Sequence, residues 1–185
     1  QPAVSMRLRR LNAPPIVVLT GVENAGKTTL AQQLAARLGW ALLPEAARTD
    51  AAVVAGSYGP QDLQRLLSVF QHNITSHTGQ ATPGLLCDTG ALTLEIWSRT
   101  VFGTHLKGWE SAMAMADLHI LCHTLPDWEP DPLRTLPKLK DRRALQAQYK
   151  ETLEMSGVPF AEVETAEPTE RLAAAEGLIR NMRFE

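Results

Sequence analysis

Residues Gly21-Val22-Glu23-Asn24-Ala25-Gly26-Lys27-Thr28 read G-x-x-x-x-G-K-T, and no other stretch of the chain restricts its fold so tightly. Glycines at the ends let the backbone take positive φ and approach a phosphate closely. Successive N–H groups and the start of the following helix then form an anion-binding concavity. Lys27 supplies a point charge to the β- and γ-phosphate oxygens, and the Thr28 hydroxyl is placed to ligate Mg²⁺. The motif needs a strand before it and a helix after it, and the sequence carries both. Ile16-Val17-Val18-Leu19 is apolar and largely β-branched, between Pro14-Pro15 and Gly21. Leu30, Leu34 and Leu38 then recur at helical spacing up to Gly39. A plain glycine turn with an exposed lysine would need neither. A nucleoside triphosphate is therefore expected on Gly21, Glu23, Asn24, Ala25, Gly26, Lys27, Thr28 and Thr29.

The same alternation of short apolar runs and helical periodicity continues, which predicts an α/β domain with a mostly parallel sheet. Trp40–Leu43, Gly84–Asp88, Leu118–His123 and Pro159–Val163 read as strands two to five, the last at an edge. Helices are expected from Asp62 to about Gly79, around Leu92–Ser98, between Asp141 and Ser156, and from Glu170 to Met182. Residues 126–137 hold four of the twelve prolines and must be extended loop. One domain over 16–185 is expected, with 1–15 as a flexible arm.

Composition narrows the function. With 44% apolar residues the chain can bury a core, and no apolar run reaches the ~18 residues of a membrane span. Eighteen basic and twenty acidic residues leave a charge of −2, which speaks against a partner bound through nucleic-acid phosphates or an anionic membrane. Two cysteines make no disulfide framework. Cys87 and Cys122 end short apolar runs and read as buried, reduced strand residues that could meet only if their strands adjoin. The cytoplasm is the default setting, and a monomer or small homo-oligomer the default assembly.

Among phosphate-loop proteins, a GTPase would need an N-K-x-D after a late strand, which is missing, and Asp88-Thr89-Gly90-Ala91 lacks the glycine of a D-x-x-G switch. A motor ATPase would want added subdomains. A compact small-molecule kinase fits better: it needs a carboxylate near the loop, an acceptor pocket and basic residues over the transferring phosphoryl group. Asp88 ends the third strand, where ligands bind in a doubly wound sheet. It is expected to accept the acceptor's hydroxyl proton or hold Mg²⁺ through water, with a helix N-cap as the plainer alternative. Arg134, Lys138, Lys140, Arg142 and Arg143 put five basic residues against Asp141 alone. After a Pro-rich loop they read as a lid over the phosphates rather than a solvated helix face.

The chain resembles the ribosylnicotinamide kinase domain of NadR-type proteins over nearly everything from Ile16 to Ile179. The likeness rests on the phosphate loop, on Glu45 and Arg48 in Pro44-Glu45-Ala46-Ala47-Arg48, and on Asp88-Thr89-Gly90-Ala91-Leu92-Thr93. Phe102-Gly103, Trp128-Glu129-Pro130-Asp131-Pro132-Leu133-Arg134, Arg142 and Gly157-Val158-Pro159-Phe160 add to it. The resemblance implies a P-loop kinase fold, a five-stranded parallel sheet flanked by helices with a small lid. It implies ATP and Mg²⁺ as cofactors and phosphorylation of the 5′-hydroxyl of nicotinamide riboside. On it, Lys27, Asp88, Arg134 and Arg142 are catalytic and Thr28 and Asp88 hold the metal. Glu45, Arg48, Trp128 and Asp131 face the nucleoside-like acceptor, with Asp131 on ribose hydroxyls.

The chain departs from that family at Pro44 and Ala46, where an aromatic is expected for the pyridinium ring, and at Gly90, where the family has a second aspartate. These departures favour a second reading, a kinase of the same fold with another acceptor. A third reading is a regulatory ATP-binding module, which Asp88 and the basic lid oppose. Trp97, Phe102, Trp109 and Trp128 are open between an acceptor pocket and a core. None of the five histidines shows metal-ligand spacing with a carboxylate or cysteine.

Overall fold

The computed structural model describes residues 13–77 and 80–182. The arm expected at 1–15 lies outside the described residues up to residue 12, as does the helix stop expected at Gly79. The elements run β1 (Ile16–Thr20), α1 (Lys27–Leu38), β2 (Ala41–Leu43), a single 3₁₀ turn (Ala46–Thr49), α2 (Ala51–Val54), α3 (Pro60–His77) and β3 (Leu85–Asp88). Then follow α4 (Ala91–Phe102), α5 (Trp109–Met113), β4 (Leu118–Cys122), α6 (Leu139–Ser156), β5 (Phe160–Val163) and α7 (Pro168–Arg180). The five strands form one sheet in the order β2-β3-β1-β4-β5, and each pairing is parallel. The expected α/β class and strand set are therefore observed, and β5 is an edge strand.

β1 is central, and its five residues are buried on both faces, as a parallel strand covered by helices must be. Its side chains alternate between two cores. Val17 and Leu19 meet Leu30 and Leu34 of α1 and Ala175 and Ile179 of α7. Ile16 and Val18 meet Leu63, Leu67 and Phe70 of α3, Leu92 and Ile96 of α4, and Leu153 of α6. The same alternation separates the cysteines. Cys87 packs in one core and Cys122 in the other, with β1 between their strands. Both are free thiols, so the condition for a bridge is not met.

Helices α3, α6 and α7 each begin earlier than periodicity predicts. α7 starts at Pro168 because the Glu167 carboxylate caps Thr169 and Glu170 N–H groups and proline suits the first helical position. α3 starts at Pro60, with Asp62 accepting from Gly59 N–H at 2.9 Å. Among the described residues no helix is long and apolar enough to cross a membrane.

His119, on β4, is 1% exposed, and its Nε2–H donates to Met113 carbonyl at 3.0 Å. Its Nδ1 has no partner, and burial pushes the imidazole down to about 4. The unfolded chain, titrating near 6.5, binds this proton first as pH falls. Stability contributed by neutral His119 is thus present above about pH 6.5 and lost toward pH 4, by about 3 kcal/mol in all. Urea unfolding across this window is expected to flatten in His119→Gln; an unchanged slope would assign the pH dependence elsewhere.

Candidate active site

The phosphate loop follows the carboxyl end of β1 and closes onto its neighbours through its carbonyls. Lys27 Nζ donates to Gly21 and Val22 carbonyls at 2.9 and 2.7 Å. Leu125 N–H donates to Asn24 carbonyl at 2.9 Å, and Leu30 N–H to Gly26 carbonyl at 3.0 Å. Arg171 Nη2 takes Ala25 carbonyl at 2.7 Å. In a planar trans peptide the next residue's N–H points away from the carbonyl. These carbonyl contacts fix the orientation of successive peptide units up to Gly26, the N-cap of α1. Gly21 is fixed by space: at φ 129° its added Cβ would lie 2.6 Å from Cys122 carbonyl oxygen. Thr28 is half-buried and Thr29 exposed on the first turn of α1.

Beside the loop an open cleft lies at the carboxyl ends of β2 and β3, where ligands bind in a doubly wound sheet. Glu45, Asp88 and Thr89 supply its polar part and Leu66, Phe70 and Leu94 much of its apolar wall, with Asn73 among them. Asp88 is 4% exposed and, among the described residues, its Oδ1 has no hydrogen-bond partner. It does not cap α4, whose N-cap is Gly90 with no side-chain cap, so the plainer alternative falls away. Thr89 takes φ 68°, a strained position for a β-branched residue. Gly90 beyond it is closed in by β1 and α3: a Cβ there would lie 2.9 Å from Val18 Cγ1 and 3.1 Å from the Phe70 ring. That explains the departure at this position, since an aspartate would displace Phe70.

Charges at the cleft act on one another. Burial lowers Lys27 from its ordinary value, opposed by Glu45 and Asp88. Burial raises Glu45, opposed chiefly by Lys27. Arg48 donates to Glu45 from Nε and to Asp131 from Nη1, each at 3.0 Å. Glu45, Arg48 and Asp131 thus form one run of ion pairs at the rim. The Leu133 N–H, and then Arg48, hold Asp131 below the usual carboxylate range.

The Pro-rich loop is fastened to the phosphate loop. Asn24, at φ 57°, accepts from Glu129 N–H at 3.2 Å and Arg134 Nη1 at 3.0 Å, and its Nδ2 donates to Leu125 and Asp127 carbonyls. The Glu23 carboxylate accepts from Thr135 and Leu136 N–H groups. The side chains of Glu23 and Asn24, expected on the nucleotide, are spent on this loop. Arg134 sits between Asn24 and Glu129 carbonyl.

Arg142 requires a correction. Expected over the phosphates, it is 0% exposed. Its guanidinium donates to Thr124 hydroxyl and to the carbonyls of Leu125, Pro126, Leu136 and Pro137. It pins both ends of the loop. Trp128, expected against the acceptor, lies over this guanidinium, 5.1 Å from centroid to Cζ. Lys138, Lys140 and Arg143 are exposed, so the basic run divides between a solvated face and loop anchors.

The other aromatics belong to the core. Trp97 and Phe102 pack edge-on to Tyr58, at 5.1 and 5.7 Å, and Trp109 packs on the same core. Phe70 is the ring at the cleft, although its spacing on the helix had marked it only as inward-facing. Two histidines do meet carboxylates: His105 reaches buried Glu95 at 2.7 Å and His123 reaches Glu162 at 2.9 Å. Glu164 lies near enough to make a third ligand there, but Lys150 already occupies Glu162 at 2.8 Å.

The residues present suit Mg²⁺. It takes hard oxygen donors, and the buried, unpartnered Asp88 Oδ1 offers one, with the Thr28 hydroxyl at the loop's end.

The family model for an AAA domain matches residues 16–171. Among solved structures the chain is similar to deoxyadenosine kinase from M. mycoides with bound dATP (TM-score 0.62, 11% identity, covering 90% of this chain and 100% of that one). It is similar to NadR protein in complex with NR (TM-score 0.67, 17% identity, 93% of this chain and 52% of that one). It is also similar to thymidylate kinase from Ehrlichia chaffeensis (TM-score 0.64, 8% identity, 91% and 100%). The chain spans about half the length of the NadR chain. No curated protein sequence matches the chain.

Proposed function

The chain belongs to the AAA domain family, and from that premise we propose that it is an ATP-dependent phosphotransferase acting on the 5′-hydroxyl of a nucleoside-like acceptor, nicotinamide riboside first. The observation that carries the reading is the unpartnered Asp88 Oδ1, buried in a cleft whose two carboxylates, Glu45 and Asp88, both interact electrostatically with Lys27 of the phosphate loop. Solved structures of like fold named deoxyadenosine kinase and thymidylate kinase support it, as does one of NadR protein in complex with NR. A motor ATPase has no use for such a cleft.

The chemistry follows from the parts. The loop amides and Lys27 hold the β- and γ-phosphates. Asp88 orients the acceptor hydroxyl and takes its proton as the new P–O bond forms. Glu45 is the weaker candidate for that role because Arg48 already holds its carboxylate. Mg²⁺ on Thr28 and Asp88 would neutralise charge on the phosphate oxygens. Arg134 stands nearest the loop among the lid cations and is the one left to meet the transferring group. Arg142 acts through the loop it anchors.

The lining of the cleft supports an acceptor without a phosphate of its own. Its charged side chains are carboxylates, Glu45 and Asp88, and Arg48 at the rim is taken by Glu45 and Asp131. A phosphate monoester would meet repulsion there, whereas a neutral or cationic nucleoside would not. The Trp residues do not surround the cleft, which keeps another nucleoside as the second reading.

Single-turnover transfer from γ-labelled ATP to a panel of nucleosides and their 5′-monophosphates tests this. Label is expected on nicotinamide riboside and not on the monophosphates. Transfer to another nucleoside alone would establish the second reading. Transfer to a monophosphate would overturn the charge argument, and transfer to water alone would overturn the kinase.

A further inference from the structure

Arg171, in the first turn of α7, is 5% exposed, and its guanidinium joins three separate segments. Nη2 donates to the carbonyls of Ala25 in the phosphate loop and His123 just past β4, each at 2.7 Å. Nη1 donates to Thr165 carbonyl, in the loop after β5, at 2.6 Å. Among the described residues Nε has no oxygen acceptor and no carboxylate pairs with the group, whose side-chain neighbour is the buried Cys122 thiol. A buried cation without an ion pair is costly, and burial accordingly lowers this guanidinium from its ordinary value. The cation lies directly under the loop that would receive a polyphosphate.

What it touches there is one peptide group. Ala25 carbonyl and Gly26 N–H belong to the same planar unit and point in opposite directions. With Arg171 on the carbonyl, Gly26 N–H points away from the guanidinium, at the residue that caps the head of α1. A cation on the carbonyl also withdraws electron density and makes that N–H a stronger donor.

We propose that Arg171 is a positioning residue for nucleotide binding, fixing and polarising the Ala25–Gly26 peptide so that Gly26 N–H grips a β-phosphate. The proposal rests on the phosphate-loop reading above, and it separates Arg171 from a residue that merely packs α7 against the sheet. A packing role weakens every nucleotide alike. A role through Gly26 N–H falls on nucleotides that carry a β-phosphate.

Titration calorimetry of ATP, ADP and AMP into wild type, Arg171→Gln, Arg171→Met and Arg171→Lys tests it. Wild type is expected to bind ADP at least about tenfold more tightly than AMP, the scale of one charge-assisted hydrogen bond or more. Absence of that preference overturns the phosphate-loop reading itself, and with it the proposal. Both neutral variants are expected to weaken ATP and ADP about tenfold and AMP less than about twofold. Arg171→Lys keeps the charge and is expected to hold the ADP-to-AMP ratio within about threefold of wild type. Equal losses for all three nucleotides, unchanged affinities, or a lysine variant as impaired as the glutamine one would each overturn the proposal. Melting curves show which variants are folded. The apolar methionine, of similar length, carries the test where glutamine does not fold.

Discussion

Asp88→Asn is expected to lower turnover at least about a hundredfold while ATP affinity changes less than about twofold. The asparagine keeps the shape of the side chain and removes its charge and basicity. ATP is held chiefly by the loop amides and Lys27, and asparagine keeps an oxygen toward Mg²⁺, so binding survives. Asp88 Oδ1 is buried and unpartnered, and among the described residues no helix cap or ion pair depends on it. A structural explanation for lost turnover is therefore excluded if the melting temperature is retained. Steady-state kinetics with the acceptor found by the transfer screen, together with ATP titration, gives both numbers. Near-normal turnover would remove Asp88 from proton transfer and pass the role to Glu45.

Arg142→Met is expected to cost stability first and turnover second. The guanidinium satisfies one hydroxyl and four carbonyls from inside the protein. Methionine fills much of the space and satisfies none of them, and each acceptor left buried costs about 1–3 kcal/mol. The loop escapes most of that penalty by opening to water, so the net loss is about 3 kcal/mol, or roughly 8 °C in thermal midpoint for a domain of this size. Limited proteolysis is expected to cut within residues 125–137, and turnover to fall with the loss of the ordered loop. A variant that melts normally and resists cleavage, yet turns over slowly, would return Arg142 to direct contact with the phosphates.

The frame of this protein is readable from residue order because its signals are local. Pro14-Pro15 before β1, the glycine turns after α1 and α6, and the run of aliphatic residues between them each report a backbone requirement at their own position. The phosphate loop is legible for the same reason. The lid is not. A basic run looks alike whether its members face water or a ring of carbonyls, since backbone acceptors leave no mark in a sequence; Arg142 and Arg171 were hidden in this way. Phe70 was hidden differently. Helical spacing says that a residue faces inward, but the inward side of α3 includes both the sheet and the wall of a cleft. Thr89 gives no sign of its left-handed backbone, because a threonine written after an aspartate predicts extended chain.

The two ends of the Pro-rich loop meet on a single guanidinium, from Leu125 and Pro126 on one side to Leu136 and Pro137 on the other. What the sheet requires of this segment is therefore its throat rather than its span. Closing a longer loop costs little extra entropy, about 0.6 kcal/mol for a doubling of length. The residues between the ends form an exchangeable cassette, free to lengthen or change composition while β4 and α6 keep their places. Acceptor preference could diverge through that cassette, along with the Arg48 contact it carries, without disturbing the cradle that holds the nucleotide.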